Sequence, residues 1–170
     1  VLVCSAFMLP LTSFAQNVGI GTSSPLFKLD VKNGSINTDS VYRIGGSKVL
    51  SVNLQNTFVG IGAASSITTG NFNTAMGNEA LFSNTTGERN TAFGLWSLRS
   101  NISGNFNTAI GKSALHENLT GSFNTATGYE ALYYNTGSNN TAHGYHALLF
   151  NLIASNNTAI GTQALSLTTY

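Results

Sequence analysis

The stretch from Asn73 to Arg89, NTAMGNEALFSNTTGER, decides the fold because it recurs along the chain. Its opening motif, Asn-Thr-Ala-x-Gly, begins six times between Asn73 and Asn157, and a degenerate copy, NTFVG, begins at Asn56. Successive copies start 17, 17, 17, 17, 16 and 17 residues apart. A step this regular is typical of a repeat architecture and exceeds what a composition rich in Asn and Thr gives by chance.

The remainder of each unit is patterned too, with the consensus NTAxGxxALxxNxxGxx. A unit of about 17 residues cannot fold alone, since it has no second layer against which to bury its apolar groups. Stacked units can pair their backbones at the strand spacing of about 4.8 Å. The sequence therefore predicts a mainly β fold, a parallel β-solenoid or β-roll of seven coils and about 34 Å in length.

Within a coil, Asn-Thr-Ala-x-Gly is the predicted strand, and its Gly allows a sharp corner. The following segment, GxxALxxN, has two interpretations. Ala-Leu among good helix formers favours a single helical turn ending at an Asn cap, whereas a second short strand is also compatible with the pattern.

Alternation along the strand predicts which side chains face inward. Thr and the residue two places later share one face, and the later residue is mostly apolar. We expect this face, with the Leu of each coil, to form the core, and the intervening Ala to lie on the opposite side. Stacked Asn and Thr are expected to form hydrogen-bonded ladders along the axis. The predicted ladder residues are Asn73, Asn90, Asn107, Asn124, Asn140, Asn157, Thr74, Thr91, Thr108, Thr125, Thr141 and Thr158.

Three segments are predicted in all. Residues 1–16 are apolar and end in small residues, which is typical of the end of a secretory signal peptide, and Cys4, the only cysteine, lies in them. Residues 17–55 hold six of the 13 charged residues and, with the stretch VYRIGGSKVLSV, predict a small β-rich cap. Residues 56–170 are the repeat solenoid. The predicted location is secreted or at the cell surface, in the bacterial outer membrane or the extracellular space.

Low charge excludes several functional classes. With seven basic and six acidic residues the net charge is +1, too small for a nucleic-acid partner. Glu79 and Glu130 occupy the same repeat position three coils apart, about 14 Å by the strand spacing, which is too far for paired catalytic carboxylates. The histidines fall at unrelated repeat positions, and His143 and His146 have no carboxylate near them in sequence. We therefore expect no enzyme activity, no metal site and no cofactor.

The repeats carry a family resemblance. AIGKSAL, ATGYEAL and AIGTQAL resemble the head repeats of YadA-like trimeric autotransporter adhesins, and NVGIGTSSPLFKLDV resembles the mature N-terminus of bacterial surface proteins of the tail-fibre type. The resemblance spans about residues 17–165, with a coil of 17 residues against fourteen in the adhesin heads. It implies a left-handed parallel β-roll, a homotrimer, and attachment to a host or environmental surface.

Two functions follow as expectations. The first is a structural segment of a secreted or cell-surface fibre, adhesin-like, whose repetitive neutral surface attaches to a glycan or a protein. Its candidate adhesive side chains are Trp96, Tyr129, Tyr133, Tyr134 and Tyr145, for which packing between chains of a trimer is an equally good interpretation. The alternative is a module that binds ice or a crystalline polysaccharide through the Thr ladder or the exposed aromatic residues.

Overall fold

The structure is a computed structural model that describes residues 18–20, 29–31, 41–44, 47–53 and 55–167, with side chains from residue 55 onward. The predicted signal peptide lies outside the described residues. The chain divides into two compact units, Val1–Thr38 and Asp39–Tyr170. The second unit contains both the repeats and the strands of the VYRIGGSKVLSV stretch, which the sequence analysis had placed together with residues 17–40.

The first unit contains β1 (Val18–Ile20) and β2 (Leu29–Val31), which pair in parallel. In the second unit β3 (Val41–Ile44) and β4 (Ser47–Asn53) form an antiparallel pair, as the stretch around Gly45-Gly46 predicted. β4 also pairs antiparallel with β5 (Asn56–Val59) and so covers the edge of the first coil. An edge covered in this way cannot pair with another chain.

The repeat forms a parallel β-solenoid, which confirms the predicted fold class. β5 and the six strands that follow it stack in chain order as one parallel ladder, each strand opening a coil. Those six strands are β6 (Thr74–Met76), β7 (Thr91–Phe93), β8 (Thr108–Ile110), β9 (Thr125–Thr127), β10 (Thr141–His143) and β11 (Thr158–Ile160).

The single 16-residue step does not disturb this register. Thr125 still pairs with Thr141. The missing residue lies in the corner after Asn135, whose side-chain amide reaches the carbonyl of Gly137 two residues on. In the other coils the equivalent Asn reaches a carbonyl three residues on, as Asn118 reaches that of Gly121. Length variation is thus confined to a corner.

The segment GxxALxxN is neither a helix nor a strand in the described residues; it is a run of turns. Ser113 and Leu115 both adopt positive φ, 58° and 52°. Alternate backbone N–H groups bond to the coil on one side or the other: Leu115 donates to Ala131 O at 3.0 Å, and Glu130 donates to Lys112 O at 3.0 Å. Because these donors are used between coils, they cannot form the i to i−4 bonds of a helix.

The corner glycine of each coil meets the next coil closely. Gly111 has φ 132°, and a Cβ built on it would lie 2.5 Å from the carbonyl oxygen of Gly128. Both the conformation and the space therefore require glycine at this position.

The core is narrow and is built from Ala, Leu and Asn. Ala109, Ala114 and Leu115 of one coil are fully buried, as are most of their equivalents along the rod, whereas Leu165 of the last coil is 51% exposed. The predicted Leu column is thus part of the core, but the predicted orientation of the strands is wrong. Ala faces inward and Thr faces outward in each strand, as the exposed–buried–exposed pattern of β6, β7, β10 and β11 shows.

Candidate functional site

The first Asn of each repeat lies inside the rod and links neighbouring coils. The side-chain Oδ1 of Asn90 accepts a hydrogen bond from the backbone N–H of Asn107 at 2.9 Å, and its Nδ2 donates to the carbonyl of Gly104 at 2.8 Å. The same arrangement holds at Asn73 and Asn124, among others. The predicted Asn positions are therefore a buried ladder that satisfies backbone groups at the coil corners, as buried polar groups require.

A second buried Asn column, which the sequence analysis did not include in its ladder, runs beside the first. Asn101 donates to Oδ1 of Asn84 at 2.8 Å, and Asn118 donates to Oδ1 of Asn101 at 3.0 Å. The two columns touch where Asn140 donates to Oδ1 of Asn135 at 3.2 Å. The signal for this column was present, because an Asn recurs at that repeat position from Asn84 to Asn151.

The predicted Thr ladder is on the outside. Thr74, Thr91, Thr125, Thr141 and Thr158 are exposed and Thr108 is half-buried. Neighbouring threonines pair in register along the sheet, but their hydroxyls form no hydrogen bonds with one another in the described residues. The inward Thr ladder is a wrong prediction; the structure has a regular outward row of hydroxyl and methyl groups.

The residue two places after each Thr also points outward. We call the Thr row together with this variable column the strand face. Phe93 is 52% exposed and Ile160 is 72% exposed, where the sequence analysis had expected core. The variable column consists of Val59, Met76, Phe93, Ile110, Thr127, His143 and Ile160.

The five predicted adhesive aromatics form one connected belt on the turn segments. Tyr129 stacks on Tyr145 with ring centroids 5.5 Å apart, and the Lys112 ammonium lies between Tyr129 and Trp96, 5.4 and 5.8 Å from the two centroids. His116 contacts Trp96 edge to face at 6.3 Å and stacks on Tyr133 at 4.7 Å.

Tyr134 completes the belt by contacting Tyr133 at 4.5 Å and stacking on Phe150 at 5.1 Å. Stacked rings in successive coils turn their faces toward one another. Their outer rims and hydroxyls are therefore the parts that remain open to a ligand.

Acidic and basic groups accompany this belt. Arg99 pairs with Glu79 at 2.7 Å, and Nε2 of His146 lies 3.0 Å from a carboxylate oxygen of Glu130. A hydrogen bond to Glu130 raises the pKa of Tyr129, with smaller contributions from desolvation and from the negative charge of Glu130. Desolvation raises the pKa of Tyr133, helped by the charge of its neighbours. Both phenols are therefore neutral donors at ordinary pH.

A further exposed column precedes the Asn-Thr-Ala motif and was missed in the sequence analysis. Phe106 stacks on Phe123 with centroids 4.9 Å apart, and the guanidinium of Arg89 lies over both Phe72, at 4.9 Å, and Phe106, at 5.3 Å. These residues adopt positive φ, for example 59° at Phe123. The recurrence of Phe immediately before Asn-Thr was the available signal.

The described part of the chain contains no group of three or more potential metal ligands and no pocket. Within the same residues, no helix is long and apolar enough to cross a bilayer. Comparison with family models, with curated proteins and with solved structures gave no match.

Proposed function

We propose that this chain is a structural segment of a secreted or cell-surface fibre, adhesin-like, which attaches through its repetitive neutral surface. The observation that carries the proposal is the equivalence of the coils. Each coil satisfies its polar groups with its neighbours through the same Asn and backbone bonds, so the repeated coils themselves set the shape of the rod. A rod of this kind sets the spacing of whatever side chains its outer columns carry.

The aromatic belt is the proposed attachment surface. Trp96, Tyr129, Tyr134 and Tyr145 are each more than a third exposed, and they are held in place by stacking and by Lys112. Rigid aromatic side chains contribute contact area at low entropic cost. The hydroxyls and ring rims fit a glycan or protein surface that offers hydrogen-bond acceptors beside apolar patches. The resemblance to YadA-like head repeats supports the same function and a homotrimeric fibre.

Antibody labelling of the cells that make the protein tests this function. We expect antibodies raised against the purified chain to label intact cells, and their Fab fragments to reduce attachment of those cells to a surface. Labelling that appears only after permeabilisation would contradict an extracellular fibre. In the attachment assay, purified Tyr129→Ser/Tyr134→Ser chain should compete less well than wild type. The matched control, Thr86→Ser/Thr120→Ser, changes exposed corner residues and should compete fully.

A second function is favoured by the outward Thr row. One Thr per coil at the strand spacing of about 4.8 Å gives a periodic row of hydroxyls and methyls, which is the pattern that ordered lattices can match. Co-sedimentation with crystalline cellulose and partition into growing ice test it directly. Loss of binding in Thr91→Tyr/Thr125→Tyr, with binding kept in Thr86→Tyr/Thr120→Tyr, would establish lattice binding. Absence of binding by the wild-type chain would exclude these two ligands.

A further inference from the structure

Lys112 differs from the other basic residues in its surroundings. In the part of the chain described with side chains, Arg89 pairs with Glu88 at 3.0 Å and Arg99 pairs with Glu79 at 2.7 Å. Lys112 is the third basic residue there, and it forms no ion pair with a carboxylate of the described side chains. Its ammonium group also donates no hydrogen bond to an oxygen of these residues. Lys112 is therefore the cation of this part of the chain that is left for a ligand.

Two aromatic rings fix the position of this ammonium group. The nitrogen Nζ of Lys112 lies 5.8 Å from the ring centroid of Trp96 in the preceding coil and 5.4 Å from that of Tyr129 in the following coil. Contacts of this kind leave the N–H groups of the ammonium without an oxygen, but they restrict a long and otherwise mobile side chain. Less conformational freedom therefore remains to be lost when a ligand binds Lys112.

The carboxylates of the neighbouring coils limit the charge that a ligand can carry. Glu117 lies 2.8 Å from Nδ1 of His116, and Glu130 lies 3.0 Å from Nε2 of His146. A neutral imidazole does not cancel the negative charge of a carboxylate, which is ionised at neutral pH. These two groups would repel a ligand with many negative charges, whereas a single carboxylate can bind Lys112.

The remainder of the belt suits the hydroxyl groups of a sugar. Tyr134 and Tyr145 are exposed, and a phenolic hydroxyl both donates and accepts hydrogen bonds. Sugar hydroxyls do the same, and the C–H groups of a pyranose ring pack against aromatic side chains. An acidic peptide supplies several charges but few hydroxyls. A mainly neutral oligosaccharide with one carboxylate therefore matches both the unpaired cation and its neutral surroundings.

We propose that the aromatic belt binds an acidic oligosaccharide, whose carboxylate accepts hydrogen bonds from the ammonium group of Lys112 while a sugar ring packs against Trp96 and Tyr129. Sialic acids and hexuronic acids both supply such a carboxylate. The inference rests on the proposed attachment function and names the class of ligand for that surface.

The fluorescence of Trp96 tests the inference, because Trp96 is the only tryptophan of the chain. The probes are sialyllactose and cellobiouronic acid, with lactose and cellobiose as their neutral counterparts. We expect an acidic sugar to change the emission of the full chain saturably, and the tighter of the two probes distinguishes a sialic acid from a hexuronic acid. Each neutral counterpart should bind at least about tenfold more weakly, since it lacks the charge-assisted hydrogen bond. Calorimetry of the same mixtures detects binding that leaves the emission unchanged.

Substitution of Lys112 separates a direct contact from a general effect of charge. Lys112→Gln should weaken the binding of the acidic sugar at least about tenfold and leave that of the neutral sugar unchanged. The matched control is Arg89→Gln, which removes the same charge from an exposed residue outside the belt and should leave the affinity unchanged. Circular dichroism spectra identical to that of wild type would show that both variants are folded.

Several results would overturn the proposal. They are a wild-type chain that binds neither acidic sugar at millimolar concentration, equal affinity for the acidic and neutral sugars, and equal losses of affinity in Lys112→Gln and Arg89→Gln. A triglutamate peptide that binds as tightly as the acidic sugars would assign the site to acidic peptides instead. If the acidic sugar binds as expected and intact cells are not labelled by antibody, the fibre function fails and the sugar site stands.

Discussion

The backbone N–H of Asn90 donates to the side-chain oxygen of Asn73 at 2.9 Å, joining two coils through a fully buried amide. Repetition of this bond along the rod allows a solenoid with few charged residues to bury polar groups without leaving them unpaired.

Removing the donor half of one such amide should destabilise the fold. Nδ2 of Asn107 donates to Gly121 O at 2.8 Å and to Asn90 Oδ1 at 3.1 Å. Asn107→Asp removes these donors and places a buried carboxylate against the two acceptor oxygens. We therefore expect the free energy of unfolding, measured in urea, to fall by at least about 3 kcal/mol. Asn78→Asp makes the same change at an exposed position and should be nearly neutral. Equal effects at the two positions would contradict the buried ladder.

Truncation of two leucines four residues apart should destabilise the fold to very different degrees. Leu115 is fully buried, whereas Leu119 is 42% exposed. Leu115→Ala should cost about 2–5 kcal/mol because it leaves a cavity between coils, and Leu119→Ala should cost less than about 1 kcal/mol. Thermal unfolding of the two variants provides the comparison. A larger loss of stability in Leu119→Ala than in Leu115→Ala would contradict the assignment of Leu115 to the core.

Relief of positive φ should stabilise the rod. Gln163 is exposed and adopts φ 56°, a conformation that costs a residue with a Cβ about 1 kcal/mol. Gln163→Gly should therefore raise the unfolding free energy by up to about 0.5 kcal/mol, because the larger unfolded-state entropy of glycine offsets part of the strain relief. Thr162→Gly, at the neighbouring exposed residue, has no such strain to relieve and should lower it. The urea midpoints of the two variants should move in opposite directions.

Stability should fall in alkaline solution because of the belt tyrosines. The pKa values of Tyr129 and Tyr133 are raised in the folded chain, so the folded state holds their protons more tightly than the unfolded state does. Their contribution is complete below the unfolded pKa of about 10 and is lost as the pH rises through the folded pKa. The free energy of unfolding, measured at a series of pH values above ~10, should fall as the pH rises. The slope of this fall should be smaller in Tyr129→Phe/Tyr133→Phe. An unchanged slope in that variant would contradict the assignment.

The repeat step could be read from the sequence, and with it the parallel strands and their register, because the position of each Asn-Thr-Ala motif follows from the chain itself. The orientation of the strands could not be obtained from hydrophobicity. Phe93 and Ile110 are as apolar as core residues, but in the six complete repeats the inward position of the strand holds Ala109 and its equivalents, and a Phe occupies it only at Phe58 in the first coil.

Variation between the repeats contained the missing information. The position of Phe93 also holds Thr127 and His143, a spread typical of exposed sites, whereas Ala is the same in six copies. The turn conformation of GxxALxxN could not be predicted from the sequence for a different reason. Positive φ at Leu115 is unfavourable locally and is accepted because its N–H bonds to Ala131 in the next coil, a contact that only the stacked structure creates.

The orientation of the strands is the central claim, since it places the Thr row on the outside, and adjacent substitutions in β9 test it most directly. Thr125 is exposed and Ala126 is fully buried. Thr125→Val should change the urea unfolding free energy by less than about 0.5 kcal/mol, whereas Ala126→Val should lower it by about 1–3 kcal/mol through overpacking. A tolerated Ala126→Val beside a destabilising Thr125→Val would show that the strands face the other way.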